Sequence, residues 1–386
     1  MKWLTSNLLL LSILAAICIF VFLASFVRIR FVKPCWPAFW AGAVLLVVTV
    51  FGVVHVIRNP AGDVETVDEE DSDAPRPVIP KTALERLRLD WNSQDVANWP
   101  AAETLAAISE IAYEPPHQAE RSYHALGFTK VMPVVQGSMI GYVITGEDVT
   151  VVAFRGTDFI EVSDWLSNLD RSATDTPHGQ VHAGFHLAYQ SMRSQVEAIL
   201  AERGTTHLWI TGHSLGGALA LLCACDLEEE RQLRGVITFG QPMVGSRQFA
   251  DYIDGLLVGR YARFVNRDDI VPKVPPSFVA CGSLVSFTDD GVKRSEIKRV
   301  LYGADSDATP VGDDGVSDGE AEITPLTDEE FEALQAKLKA EANRLPDGTP
   351  IVTYKAAGSS LIDDHLMRLY LVRIRSLLGL NTTTEP

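Results

Sequence analysis

Cysteine is scarce in this chain, with five in 386 residues. Cys18, Cys35, Cys223, Cys225 and Cys281 fall into no metal-ligand spacing and no disulfide framework, which leaves them as small apolar fillers. Positive charge is also in short supply, at 33 Lys and Arg against 50 Asp and Glu. The imbalance is uneven, because residues 1–62 contain five Lys/Arg and no acidic residue at all. Everything beyond them therefore carries 28 positive against 50 negative side chains, a net −22. A body this acidic excludes nucleic acid as a partner and excludes charge-driven adhesion to anionic lipid.

Charge of either sign is missing from Leu8 to Val27 and again from Ala38 to Ile57. Each run holds about 20 residues, enough for a helix of ~30 Å to cross the hydrocarbon layer. The first run exceeds the roughly 7 to 15 apolar residues of a signal-peptide core and is followed by a second, so an uncleaved transmembrane hairpin over 1–58 is expected. Arg28, Arg30 and Lys33 lie in the connecting loop, with only Lys2 and Arg58 on the flanks. The positive-inside bias then keeps the loop cytoplasmic and the rest of the chain on the non-cytoplasmic side. Trp3, Trp36 and Trp40 sit near the span ends, where aromatic side chains favour the membrane interface.

Residues 59–80 are acidic, proline-bearing and poor in large apolar side chains, which predicts a solvated linker. From about Lys81 to the end the pattern is globular. A helix is expected near Glu103–Tyr113, and β-rich runs at 127–135, 138–145 and 149–154 are separated by Gly137 and by Gly146-Glu147-Asp148. A helix over 184–203, short apolar strands at 235–239 and 260–265, and a helix near 248–257 follow. Strands alternating with helices predict a mostly parallel sheet covered on both faces. Ala304–Pro350 carries 13 Asp/Glu against three Lys/Arg. It is expected to form a disordered acidic insertion over 304–326 leading into a surface helix, with Thr327-Asp328-Glu329-Glu330 as its capping box and Phe331, Leu334, Leu338 and Leu345 on one face.

Gly212-His213-Ser214-Leu215-Gly216 directly follows the apolar run His207–Ile210 and precedes the Ala/Leu-rich stretch Ala218–Leu227. A strand, a sharp turn bearing serine and a helix make the nucleophile elbow of an α/β-hydrolase, whose flanking glycines leave room for the strained serine. Serine becomes nucleophilic only when a base takes its proton and an acid orients that base. In this fold the order is Ser, acid, His. His365 is the only histidine beyond Ser214, so it is the candidate base; His182, His186, His207 and His213 are read as structural. Asp268 and Asp269 follow the strand at 260–265, at the carboxyl end where such sheets gather their sites, and either fits the role of the acid.

The segments Val151–Thr157, Val181–Phe185, Gly212–Gly217, Thr238–Pro242 and Asp269–Pro272 resemble, in family order, the fungal-type or class 3 triacylglycerol lipases. The resemblance extends over roughly Ala101–Leu380 and implies an α/β-hydrolase fold with a Ser-Asp-His triad and no metal or other cofactor. It implies Asp269, of the D-x-V-P element, as the acid. It also implies that the backbone amides of Thr157 and Leu215 form the oxyanion hole. Asp158–Asp170 corresponds to the family's lid, with Phe159, Ile160, Trp165 and Leu166 among its apolar residues. The hairpin and the 96-residue separation of Asp269 from His365 depart from the small secreted members and point to a substrate met in a membrane.

The expectation is thus a membrane-anchored lipase-like serine ester hydrolase acting on acylglycerol or phospholipid esters. A non-catalytic lipid- or partner-binding protein with a hydrolase-like domain, and an acyltransferase, are the alternatives.

Overall fold

Val149–Phe154 reads VTVVAF, and all six residues are buried. A β-branched run apolar on both faces belongs inside a sheet covered by helices on both sides, and it lies third of eight strands, antiparallel to one neighbour and parallel to the other. The computed structural model describes residues 82–91, 96–202, 207–289, 291–295, 323–342 and 363–380. The expected spans at 8–27 and 38–57, the linker at 59–80 and most of the acidic insertion lie outside the described residues. Among the described residues no helix is long and apolar enough to cross a membrane.

Three helices lead the domain: α1 (Ala83–Arg88), α2 (Trp99–Ile111) and α3 (Pro116–Ala125). The strands β1 (Lys130–Gln136), β2 (Met139–Gly146) and β3 (Val149–Phe154) form an antiparallel meander. Next come α4 (Phe159–Asn168), the small hairpin β4 (Ala173–Thr176) and β5 (Gly179–His182), and the long α5 (Ala183–Ala201). The strand β6 (His207–His213) runs into α6 (Leu215–Glu230), followed by β7 (Gly235–Phe239), α7 (Arg247–Leu256) and β8 (Tyr261–Asn266). After a short 3₁₀ turn at Val271–Lys273 come β9 (Ser283–Thr288) and β10 (Gly291–Ser295). The last two helices are α8 (Asp328–Ala342) and α9 (Met367–Leu377).

Among the described residues the main sheet has eight strands in the order β1-β2-β3-β6-β7-β8-β9-β10. The pairs β3–β6, β6–β7, β7–β8 and β8–β9 are parallel, and the outer pairs are antiparallel. The sheet has the mainly parallel α/β architecture expected. One core face collects β-strand side chains with α4, α5, α6, α7 and α8, and the other collects them with α1, α2, α3 and α9. Registers across the centre pair Phe154 with Gly212, His213 with Phe239, and Phe239 with Phe264. The carboxyl ends of β3, β6, β7 and β8 are therefore level, and the loops that leave them converge.

Convergence is tightest at the β6–α6 turn. A Cβ on Gly216 would strike the carbonyl of Phe154 on β3, and a Cβ on Gly212 would strike the backbone of Gly216. Backbone cannot swing aside as a flexible side chain can. Gly216→Ala is expected to destabilise the fold by about 3 kcal/mol or more, the upper end for an overpacked core. Urea unfolding checks it, and a midpoint equal to the parent's would disprove the close approach.

Candidate active site

Ser214 closes β6 with φ 58° and ψ −132°, a conformation rare for a residue with a side chain and characteristic of a functional turn. Its amide donates to the carbonyl of Phe239 on the neighbouring strand at 3.0 Å, which anchors the turn to the sheet. Leu215 is the first residue of α6, so its amide is among the four that a helix cannot satisfy internally. The side chain of Ser214 is fully buried, and its Oγ has no hydrogen-bond partner.

His365 lies in the 3₁₀ turn Asp363–His365 just before α9, and it too is buried. Its Nδ1 faces both carboxylate oxygens of Asp269, at 3.0 and 2.8 Å, while Nε2 is without a partner. Asp269 is buried whereas Asp268 is exposed, so the choice left open by chain position is decided by burial and contact. The carboxylate is further held by the amide of Val271 at 2.9 Å and by a short hydrogen bond from the Tyr370 hydroxyl. Burial, with the charge of Asp269 beside it, pushes the Tyr370 phenol well above its ordinary value and keeps it a donor. The same hydroxyl accepts the amide of Asn266, and the Asn266 side chain donates to the carbonyl of Asp364 at 2.8 Å. At Gly240 a Cβ would stand 2.8 Å from Asp269 Oδ2 and 2.9 Å from His365 Nδ1. The residue after β7 thus leaves room for the pair.

The loop after β3 crosses the serine from the other side. A Cβ on Gly156 would lie 2.9 Å from Ser214 Cβ, and Thr157, the next residue, lines a cavity of about 580 Å³ together with Leu215. The cavity is walled by Met139, Trp165, Leu169 and Phe185, with Glu161 and Asp164 among its polar lining. Ser214 and His365 do not line it. Of the expected lid residues, Trp165 faces the cavity and stacks on Phe185 with ring centroids 6.3 Å apart. Leu166 is buried in the core with Val162 and Leu169. The side chains of Phe159 and Ile160 lie outside the described residues. Among the described residues no cluster of His, Cys, Asp or Glu fits a metal ion.

His213, expected to be structural, contacts His365 directly. Its Nε2 donates to the carbonyl of His365 at 2.7 Å, which requires the proton on that nitrogen. Nδ1 then accepts from the Tyr113 hydroxyl at 2.7 Å, and the backbone of Gly156 hydrogen-bonds the same hydroxyl. One chain of hydrogen bonds therefore joins the loop of Thr157, the residue before Ser214 and the backbone of His365. Neither tyrosine in this site is legible from the sequence. Tyr113 lies 100 residues from its partner, and nothing in the helix pattern around Tyr370 singles it out.

Residues 151–279 match the lipase (class 3) family model. The matched segment runs from β3 to the stretch before β9 and contains Thr157, Ser214 and Asp269, while His365 lies beyond it. Triacylglycerol lipase OBL1 of Arabidopsis thaliana is 31% identical over an alignment covering 32% of this chain and 34% of that protein. Phospholipase A(1) DAD1, chloroplastic, of the same plant is 32% identical over 36% of this chain and 39% of its own length. This chain therefore spans little more than a third of the length of these curated relatives. The solved structure of Rhizomucor miehei triacylglyceride lipase is 28% identical and aligns over 52% of this chain and 84% of its own, with a TM-score of 0.43.

Burial, and next to it the neighbouring His365, hold His213 well below the ordinary histidine range, so it is neutral when folded. The unfolded chain takes up that proton below about pH 6.5. The folded state does not, so stability falls as pH drops below about 6.5, by up to about 1.4 kcal/mol per pH unit from this group. His213→Asn keeps a donor towards His365 and removes the titration. It is expected to flatten the acid limb of stability between pH 7 and 5, measured from urea midpoints. An unchanged limb would show that His213 is not the neutral group described.

Proposed function

We propose that this chain is a membrane-anchored serine ester hydrolase that cleaves acylglycerol or phospholipid esters. One observation carries the reading. Two buried groups, Ser214 Oγ and His365 Nε2, are left without partners, while His365 Nδ1 is held on both oxygens of Asp269. Buried polar atoms are nearly always satisfied, and an unpartnered hydroxyl together with the free nitrogen of an oriented imidazole is suited to reaction.

In this mechanism Ser214 Oγ attacks the ester carbonyl carbon while His365 Nε2 takes the hydroxyl proton. Asp269 holds the imidazole with its proton on Nδ1 and stabilises the imidazolium. The carbonyl oxygen becomes an oxyanion, which the amides of Leu215 and Thr157 stabilise. Losing one such donor typically costs about 2.7 to 4 kcal/mol of barrier. Collapse of the tetrahedral species breaks the bond to the alcohol, which leaves with the proton from His365. Water, deprotonated by the same nitrogen, then attacks the acyl-serine and releases the fatty acid. Tyr370, the amide of Val271 and His213 fix the acid and the base rather than touch the ester.

The substrate class rests on the cavity wall and on the relatives. Met139, Trp165, Leu169 and Phe185 present an apolar surface next to Thr157 and Leu215, as an acyl chain requires. One matched relative is named a triacylglycerol lipase and another a phospholipase A(1), which brackets the two lipid ester classes. The helix α4 serves as a lid over the buried serine. The uncharged runs at 8–27 and 38–57 anchor the chain, with the hydrolase domain on the non-cytoplasmic side.

Ser214→Ala is expected to lower hydrolysis of p-nitrophenyl butyrate by about 10³-fold or more and to abolish labelling by a fluorophosphonate. Turnover and labelling equal to the parent's would rule out Ser214 as nucleophile. For the topology, protease added outside intact cells is expected to cut the acidic linker at 59–80. Protection of the linker until the membrane is opened would place the domain on the other side.

A further inference from the structure

The insertion that separates Asp269 from His365 rejoins the described fold at Ile323, which packs against Val265 and Leu284. Three residues later the amide of Leu326 donates to the carbonyl of Lys273 at 3.1 Å, at the end of the turn that follows Asp269. Thr327 then caps α8. Its hydroxyl accepts the amide of Glu330 at 3.2 Å, and the Glu330 carboxylate accepts the amide of Thr327 at 2.8 Å. A stretch expected to form a surface helix is therefore tied at its start to the loop carrying Asp269.

From there α8 docks on α4. Gln335 Nε2 donates to the carbonyls of Leu166 at 3.1 Å and Leu169 at 2.7 Å. Leu166 lies in the last turn of α4, where its carbonyl also accepts the Leu169 amide at 3.4 Å, and Leu169 is the residue that caps the helix. Phe331, Leu334 and Leu338, at helical spacing, are buried in the same core as Val162, Leu166 and Leu169. Arg171, two residues past Leu169, reaches Asp328 at 2.9 Å and Glu332 at 3.6 Å, and its guanidinium stands 5.2 Å from the centre of the Phe331 ring. The ion pairs are exposed on the acidic side and add little. The holding contacts are the amide of Gln335 and the apolar face.

The same α4, with Leu169 just after it, supplies Glu161, Asp164, Trp165 and Asn168 to the cavity wall, while Ser214 and His365 are buried and do not line the cavity. An ester carbonyl must reach Ser214 Oγ, so part of this wall has to move. We propose that α8 is a built-in latch: by capping the carboxyl end of α4 with Gln335, it holds the wall shut, and its undocking governs access to Ser214. The inference rests on the reading of Ser214 as nucleophile and α4 as lid. It assigns to the insertion an autoinhibitory role that no bare triad needs.

The test uses the full chain in detergent micelles and follows two quantities. One is the rate of fluorophosphonate labelling of Ser214, and the other is amide hydrogen exchange in α4. Gln335→Glu keeps the size of the side chain but replaces the donor with a carboxylate that repels both carbonyls. Labelling is expected to accelerate on the order of tenfold, with faster exchange at 166–169 and unchanged exchange in the central strands. Gln335→Lys retains an N–H donor and is expected to stay within about twofold of the parent. If Gln335→Glu loses its cooperative melt, Leu338→Ala loosens the same contact from its apolar side and carries the same expectation. Faster exchange at 166–169 with labelling at the parent's rate would overturn the latch, and so would unchanged exchange with unchanged labelling. Failure of the parent and every variant to be labelled would instead overturn the serine-hydrolase reading, and the latch with it.

Discussion

The site depends on a backbone held where side chains cannot fit. Ser214 sits at φ 58° because Gly216 lies against the carbonyl of Phe154 and Gly212 against Gly216. That crowding brings the end of β3, the end of β6 and the start of α6 into one small space. The Arg155–Thr157 loop, the serine and the first free amides of α6 are brought together by it. Strain of this kind, typically about 1 to 3 kcal/mol for such a residue, persists only where the surroundings over-determine it. Here the surroundings are the parallel pairs on both sides of β6 and the bond from the Ser214 amide to Phe239.

Around that turn the polar groups form two assemblies with different tasks. Asp269, fed by Val271, Tyr370 and His365, is a buried carboxylate whose lone pairs are directed at chosen donors. His213, between Tyr113 and the backbone of His365, is a buried neutral imidazole with both nitrogens used. The first assembly orients the His365 ring, and the second fixes the loop that carries it. A buried network is worth most when its members are satisfied, and here Ser214 Oγ and His365 Nε2 are among the atoms left open, with Asn266 Oδ1. The acidic excess of the chain plays no part in these contacts.

The elbow was legible because its signal is local: an apolar strand, a glycine on each side of the serine and a small-residue helix within about twenty positions. The histidine followed from scarcity, since only His365 lies beyond Ser214. Asp268 and Asp269 are neighbours with the same chemistry, and only the turn after β8 buries one and exposes the other. The capping box at Thr327 and the apolar positions of α8 were readable too, yet the pattern shows that a face is apolar and not what covers it. Phe331, Leu334 and Leu338 turned out to meet α4, some 165 positions earlier in the chain.

Sequence by itself determined the elements and the candidate residues of the site, because periodicity, turn chemistry and the order of Ser, Asp and His are properties of the chain read in one dimension. It also set the acidic character of the domain and the two uncharged runs near the amino terminus. Tertiary structure alone decided that Tyr370 holds Asp269, that Tyr113 holds His213, and that Gln335 bonds the end of α4, and it buries Asp269 against His365 while leaving Asp268 exposed. Each of those contacts joins groups brought together by the sheet from about 100 residues apart or more. Their distances depend on register, helix packing and burial, which no local pattern encodes.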